Sequence, residues 1–348
     1  MRITANHRVA ILQHQGILGS IGKTGLTLLR YSEGNIVAVI DSESAGQSLP
    51  ELTGIARDVP IVASVEEALG MNPDVLAIGI APPGGALPPE WFAELRRAVS
   101  AGLSIVNGLH TPLNHHPELS FPLREGQWIW DVRQEPKGLK IGSAQARQLA
   151  CPRVLTVGTD MAIGKMSTCL EIHRLAKQRG LQSQFVATGQ AGLMIAGSGV
   201  ALDAVRVDFA AGAVEQAVMQ CATDCDLILV EGQGSLFHPG STATLPLLRG
   251  SQPTHLVLVH RGGQTHIRNH PHVPIPALPE AIALYEAVAS AAGALTPSRV
   301  VAVALNSRDL DETHSREAIQ QIEAETGLPC TDPVRFGPAK LLDAILAP

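Results

Sequence analysis

The sequence predicts an α/β protein made of two doubly wound parallel-sheet domains, and three observations carry that prediction. Aliphatic runs of strand length alternate with helix-like segments along the chain. The alternation breaks once, in a proline- and histidine-rich stretch beginning "TPLNHHPELS" at residue 111, and resumes from Arg153. The composition fits as well: 348 residues exceed a typical single domain, and 45% are hydrophobic but only 3% aromatic. Ala, Val, Leu and Ile must therefore build the cores, as they do where helices cover parallel strands buried on both faces.

In the first half, "RVAILQ" (8–13), "NIVAVID" (35–41), "VPIVAS" (59–64), "DVLAIGIA" (74–81) and "LSIVNGL" (103–109) read as strands. "SVEEALG" (64–70) and "PPEWFAELRRAVSAG" (88–102) read as helices, the second opened by prolines and an acid and closed by Gly102. "WIWDVRQEP" supplies one further strand, and "GSAQARQLACP" a linker or bridging helix. The second half alternates again: "RVLTVGTD", a helix to Gly180, "SQFVATG", a helix around 212–222, "DLILVEG", "HLVLVHR", a helix near 279–292 and "RVVAVALNS". The expected domains are 1–150 and 151–348.

A formal net charge of −6 gives no basic footprint for nucleic acid. The five cysteines are scattered, and the Cys221/Cys225 spacing lacks the second pair that a zinc site needs, so a reduced, cytoplasmic protein is expected. No apolar run reaches the roughly 20 residues of a membrane span. A twofold homodimer is the default assembly.

"VGTDMAIGKMST" (157–168) lies between a strand and a helix whose Met166, Leu170, His173 and Ala176 keep a three-to-four spacing. In such a loop, successive backbone N–H groups and the helix N-terminus attract phosphate, and Lys165 adds a point charge. Gly158, Thr159, Gly164, Lys165, Met166, Ser167 and Thr168 are the candidate phosphate residues. Five residues separate Gly158 from Gly164, against four in the usual pattern, and Met166 stands where nucleotide hydrolases place a magnesium-binding hydroxyl. Ser167 or Thr168 could substitute for that hydroxyl; otherwise the loop holds a diphosphate without cleaving it, as coenzyme A would require.

A second stretch, "GILGSIGKTG" (16–25), follows the first strand, and Asp41 ends the next one. The layout is similar to a dinucleotide-binding fold, but the glycines are spaced GxxGxxG rather than GxGxxG. A Rossmann-like domain whose glycine loop is architectural is the preferred reading.

The five-residue loop "GTDxxxGK", with "DLILVEGQGS" ending its strand in Glu231, resembles the dethiobiotin synthetase and amidoligase branch of P-loop proteins. That resemblance implies an alternative reading as a Mg²⁺–ATP-dependent ligase or kinase; a non-catalytic nucleotide or CoA binder is another. More specific are "GTDMAIGKMST", "ATGQAGLMIAGSGVALDAVRVDFAAGAVE", "VEGQGSLFHPG", "LVHRGGQTHIR" and "TDPVRFGPAK", joined by "IGKTGLTLLR", "VIDSESAG" and "APPGG". Together they resemble, over nearly the whole chain, a bacterial family catalogued as a domain of unknown function with a Rossmann-like N-terminal half. In that family methionine also follows the lysine. Some members are described as D-glutamate N-acetyltransferases, so the resemblance implies acetyl-CoA as co-substrate, D-glutamate as acceptor and a role in D-amino-acid catabolism.

Acetyl transfer needs a neutral amine, a base for its proton and donors for the oxyanion. Glu231 and His238 flank "EGQGSLFH" just after a strand end, where open α/β sheets bind ligands, and Asp160 lies in the phosphate loop. These three are the catalytic candidates, although a turn cap, support for Pro239 and a loop brace are their structural alternatives. Arginine forks suit the two carboxylates of D-glutamate, which makes Arg261, Arg268 and Arg335 substrate candidates. Gln190, Asp203 and Asp208 complete the substrate set. The four histidines of "HRGGQTHIRNHPH" lack the spacing of a metal site and read as a polar loop over the ligand edge.

Overall fold

The computed structural model describes residues 3–19, 21–120 and 123–347. Ser20 of the first glycine stretch and Phe121–Pro122 of the histidine-rich stretch lie outside the described residues. The chain forms two compact units, Met1–Gln134 with Gln190–Gly197, and Glu135–Gly189 with Ser198–Pro348.

The first unit runs β1 (Arg8–Leu12), α1 (Lys23–Tyr31), β2 (Asn35–Ile40), α2 (Leu49–Thr53), β3 (Ile61–Val62), α3 (Val65–Leu69), β4 (Val75–Ile78), α4 (Phe92–Ala101), β5 (Ser104–Asn107), α5 (Pro117–Ser120) and β6 (Ile129–Asp131). Its sheet is wholly parallel in the order β3-β2-β1-β4-β5-β6, the order of dinucleotide-binding domains. Strand β1 is central and its Val9, Ala10, Ile11 and Leu12 are fully buried, which explains a run with no polar alternation. Leu12 stands opposite Ile40 on one side and Ile78 on the other, so the β1–α1 loop leaves the sheet between two strand ends. Helix α4 stops at Gly102, whose φ of 104° is the left-handed cap expected from the sequence. "VPIVAS" yields only the two-residue β3 at the sheet edge.

The second unit begins with β7 (Arg153–Gly158), α6 (Lys165–Gln178) and β8 (Ser183–Val186). Helix α7 (Gln190–Ala196) then belongs to the first unit, and the second continues with α8 (Val207–Gln220), β9 (Leu227–Val230), α9 (Thr244–Ser251) and β10 (His255–Arg261). A hairpin of β11 (His266–Ile267) and β12 (His270–Pro274) follows, then α10 (Leu278–Ser290), β13 (Arg299–Asn306), α11 (Glu312–Thr326), β14 (Cys330–Thr331) and α12 (Ala339–Leu346). Its main sheet is also parallel, in the order β14-β13-β10-β7-β9-β8. The histidine segment expected to be a polar loop is thus an antiparallel hairpin, anchored by Ile267 at 1% exposure. Helix α8 starts at Val207, before the expected 212, because Asp208 favours the N-terminal turn and Ala210, Ala213, Val214 and Ala217 are buried against the core.

At the opposite edge of β7, Arg153 is 2% exposed, and its guanidinium donates to the carbonyls of Gln252, Leu149 and Cys151. Those bonds satisfy a charge that burial would otherwise penalise heavily, and burial lowers its pKa from the usual arginine value. Cys225 lies with its Sγ 3.0 Å from that of Cys151, rather than pairing with Cys221.

Candidate phosphate-loop site

The site is built where β7 ends between β10 and β9. Gly158 stands opposite Val259 of β10, and the Thr159 N–H continues the ladder to the Val259 carbonyl at 3.1 Å. Tyr285 of α10, fully buried, donates its hydroxyl to the Gly158 carbonyl at 2.7 Å and accepts the Leu236 N–H at 3.1 Å. One side chain therefore ties the start of the phosphate loop to the β9–α9 loop.

Within the loop, Ala162 has φ 55° and Gly164 φ 114°, a turn that aims the chain into α6. Gly164 is the N-cap of α6, no side chain caps that helix, and no acid occupies its first turn, which begins with Lys165. An uncapped N-terminus combined with a lysine has the electrostatics of an anion site. A Cβ added at Gly164 would meet Asn306 Nδ2 at an ordinary 3.5 Å, so the left-handed backbone, not crowding, requires glycine there. Asn306 holds the loop from β13 by donating to the Ile163 carbonyl at 2.8 Å. Lys165 is buried, and its ammonium donates to the Asp160 carbonyl at 2.6 Å. Met166 and Thr168 are also buried, while Ser167 is half-buried.

Asp160 acts as a brace. One carboxylate oxygen accepts the Met161 N–H at 2.6 Å; the other accepts Gln264 Nε2 at 2.6 Å and the Arg268 N–H at 2.8 Å. These bonds clamp the β11–β12 hairpin to the phosphate loop. His260, at the end of β10, meets the Thr159 hydroxyl at 3.0 Å, and burial pushes its pKa down to about 4. It borders a recess of about 330 Å³ floored by Leu278, Leu305 and Ile322.

Glu231 follows β9 at 2% exposure. Its Oε2 accepts the Thr188 and Gly189 N–H groups at 2.9 and 3.1 Å, and its Oε1 accepts Gln233 Nε2 at 3.0 Å. The carboxylate thereby fixes the loop after β8. His238 Nδ1 accepts the Gly240 N–H at 3.0 Å, and its ring meets that of His270 edge-on, 5.0 Å between centroids.

The remaining candidates are placed as follows. Arg261 lies at the C-terminal end of β10 and is paired with Asp309, its Nε at 2.8 Å from the carboxylate. The backbone of Arg268 holds the loop, and its side chain is exposed. Arg335 donates to the carbonyls of Leu310 and Asp311 at 2.8 and 3.1 Å, stitching the β13–α11 connection. Asp203 sits on a short 3₁₀ turn and Asp208 in the first turn of α8, both exposed and on separate elements. Gln190 belongs to the first unit, where it donates to the Thr24 hydroxyl at 3.0 Å. Tyr285, Gln264 and Asn306 also hold the loop; as solitary polar residues in distant segments they give no local signal in the sequence.

Two domain models match the chain: a P-loop domain of unknown function, DUF1611_C, over residues 140–342, and its Rossmann-like companion DUF1611_N over 42–135. The chain belongs to the DUF1611 family. A solved DUF1611 protein from Anabaena variabilis is 65% identical, covers 98% of this chain and 99% of its own, and superposes with a TM-score of 0.95. Two curated relatives are named D-glutamate N-acetyltransferase. The one from Tritonibacter scottomollicae is 36% identical over 82% of this chain and 84% of its own length. The other, from a Pseudoalteromonas species, is 34% identical over 82% and 83%. The Rossmann-like and P-loop halves expected from sequence are thus the two DUF1611 domains. Among the described residues, no helix is long and apolar enough to cross a membrane.

Proposed function

We propose that this DUF1611 protein transfers acetyl from acetyl-CoA to the amine of D-glutamate, in D-amino-acid catabolism. The carrying observation is a phosphate loop with an uncapped helix N-terminus and a buried lysine, in which a buried methionine replaces the metal-binding hydroxyl. Such a loop grips an anionic diphosphate without being equipped to cleave it. The two curated relatives' names support the acceptor and the transfer of an acetyl group.

In this reading Lys165 and the first-turn amides of α6 hold the CoA diphosphate, and Asp160, Asn306 and Tyr285 keep the loop in shape. Acetyl-CoA supplies an acyl group already activated as a thioester, so the protein's task is to orient the amine, remove its proton and exclude water. Glu231 orients the loop after β8 through its two N–H bonds. A thiol-release assay with acetyl-CoA and D- or L-glutamate tests the reading, with faster release expected for the D enantiomer. Phosphate release from ATP with no thiol release from acetyl-CoA would replace this reading by the magnesium–ATP ligase alternative, in which Glu231 is the metal-binding acid.

A further inference from the structure

Two histidines beside the phosphate loop have their tautomers set by the backbone. His270 opens β12 and its Nδ1 lies 3.0 Å from the Arg268 carbonyl. A carbonyl only accepts, so Nδ1 carries the hydrogen and the neutral ring presents a lone pair on Nε2. His238 is the reverse case: its Nδ1 accepts the Gly240 N–H, so its neutral ring carries the hydrogen on Nε2. The rings stand edge to face, 5.0 Å between centroids and 73° apart, on the β9–α9 loop and the hairpin. Both are half-buried, and neither Nε2 is bonded to another described residue. The hairpin is fixed two residues earlier, where the Arg268 N–H meets Asp160. One open acceptor and one open donor, held side by side, match the ammonium and carboxylate of an amino acid.

We propose that His270 Nε2 is the base that takes the acceptor's amine proton and that His238 Nε2–H holds its carboxylate. The assignment rests on the acetyl-transfer reading above. His270 first takes one proton from the ammonium and passes it to water. The neutral amine then attacks the thioester carbonyl carbon, the C–N bond forms, and the carbonyl electron pair moves to oxygen. His270 removes the second proton; as the oxyanion collapses the C–S bond breaks, and the CoA thiolate takes that proton. The products are the amide, CoA thiol and one proton in solution, so the step balances without a further reactant.

The test measures thiol release by the wild type, His270→Ala, His238→Ala and His272→Ala. His272 also touches His270, at 5.9 Å between centroids, and so controls for packing. His270→Ala is expected to lower kcat at least about 100-fold with KM for acetyl-CoA unchanged, and added imidazole to restore part of the rate. His238→Ala should raise KM for D-glutamate, and His272→Ala should change kcat by less than about 3-fold. Spectra of ¹⁵N-histidine-labelled protein should show the Nδ1–H tautomer at His270 and Nε2–H at His238, a readout independent of turnover. The opposite tautomers overturn the proposal, as does a folded His270→Ala with wild-type kcat or a loss that imidazole does not rescue. Absence of thiol release from the wild type overturns the acetyl-transfer reading and this one with it; release by wild type and His270→Ala alike overturns only the base.

Discussion

Each unit has a glycine-rich loop between its first strand and first helix, and each has an acid at the end of the strand beside that first strand. The two loops nevertheless do opposite things. In the first unit, Asp41 turns back into the β1–α1 loop and accepts the N–H groups of Gln15 and Ile17 at 3.2 and 3.4 Å. The protein thus supplies its own carboxylate to amides that an external anion would otherwise occupy. The glycines there are closed against each other: a Cβ at Gly22 would lie 1.9 Å from the Gly16 carbonyl oxygen, and one at Gly25 1.6 Å from Gln13 Oε1. In the second unit the corresponding acid, Glu231, faces the loop after β8, and the phosphate loop is braced by its own Asp160 against the β11–β12 hairpin and from outside by Asn306 and Tyr285. In the proposed reading, a glycine loop is left open to a ligand when the neighbouring acid is directed elsewhere.

The largest effect expected from this contrast is on binding. Lys165→Ala should weaken acetyl-CoA binding by about 2–3 kcal/mol, the scale of a hydrogen bond to a charged group, while Lys23→Ala changes it less than about twofold. Calorimetric titration decides; if Lys23→Ala gives the larger loss, the roles of the loops are reversed.

Next comes stability. Asp41→Ala leaves the buried Ile17 N–H and the part-buried Gln15 N–H of the first loop without that acceptor and should cost about 2 kcal/mol in denaturant unfolding, with acetyl-CoA affinity unchanged. Loss of affinity without loss of stability would make Asp41 a ligand residue. Tyr285→Phe should cost about 1–2 kcal/mol and also weaken acetyl-CoA binding, because it frees the phosphate loop from the β9–α9 loop.

A pH dependence also belongs to the second unit. Burial pushes both His260 and His173 down to about 4, with Lys177 adding to the effect at His173. Between pH 6.5 and 4 the unfolded chain binds protons that the folded unit does not, so stability is intact above about pH 6.5 and falls as the pH drops toward 4. By pH 4 the loss is on the order of 3 kcal/mol per histidine. His260→Gln should flatten the change in Tm between pH 7 and pH 5, and an unchanged slope would remove His260 from this account.

Apart from the two-residue β14, the strands of both sheets are legible in sequence because parallel strands buried on two faces need unbroken aliphatic runs, as in "RVAILQ" and "DLILVEG". The phosphate loop was legible because its glycines, lysine and helix are consecutive. Other features were not. Nothing local in "HRGGQTHIRNHPH" announces a hairpin, since its pairing is short and irregular, and its hold on Asp160 comes from more than 100 residues away. Gln190 was read with the second half's candidates because it follows "SQFVATG", yet its helix counts with the first unit. Residue type alone suits Arg261 and Arg335 to a dicarboxylate; in the fold Asp309 and the Leu310 and Asp311 carbonyls occupy them.

By itself, then, the sequence determined the fold class, the two-part organisation, the family resemblance and the position of the phosphate loop. All of these depend on residue type and local order. Only the tertiary structure decided where the acids point and which nitrogen of each histidine is open. Those properties depend on partners distant along the chain: Asp41 on the amides of Gln15 and Ile17, Glu231 on those of Thr188 and Gly189, and Asp160 on Gln264 and Arg268. Hydrogen bonds are directional and short-ranged, so an acid's role is set by which donor the fold brings within 3 Å or so of it, and that is invisible until the chain has folded.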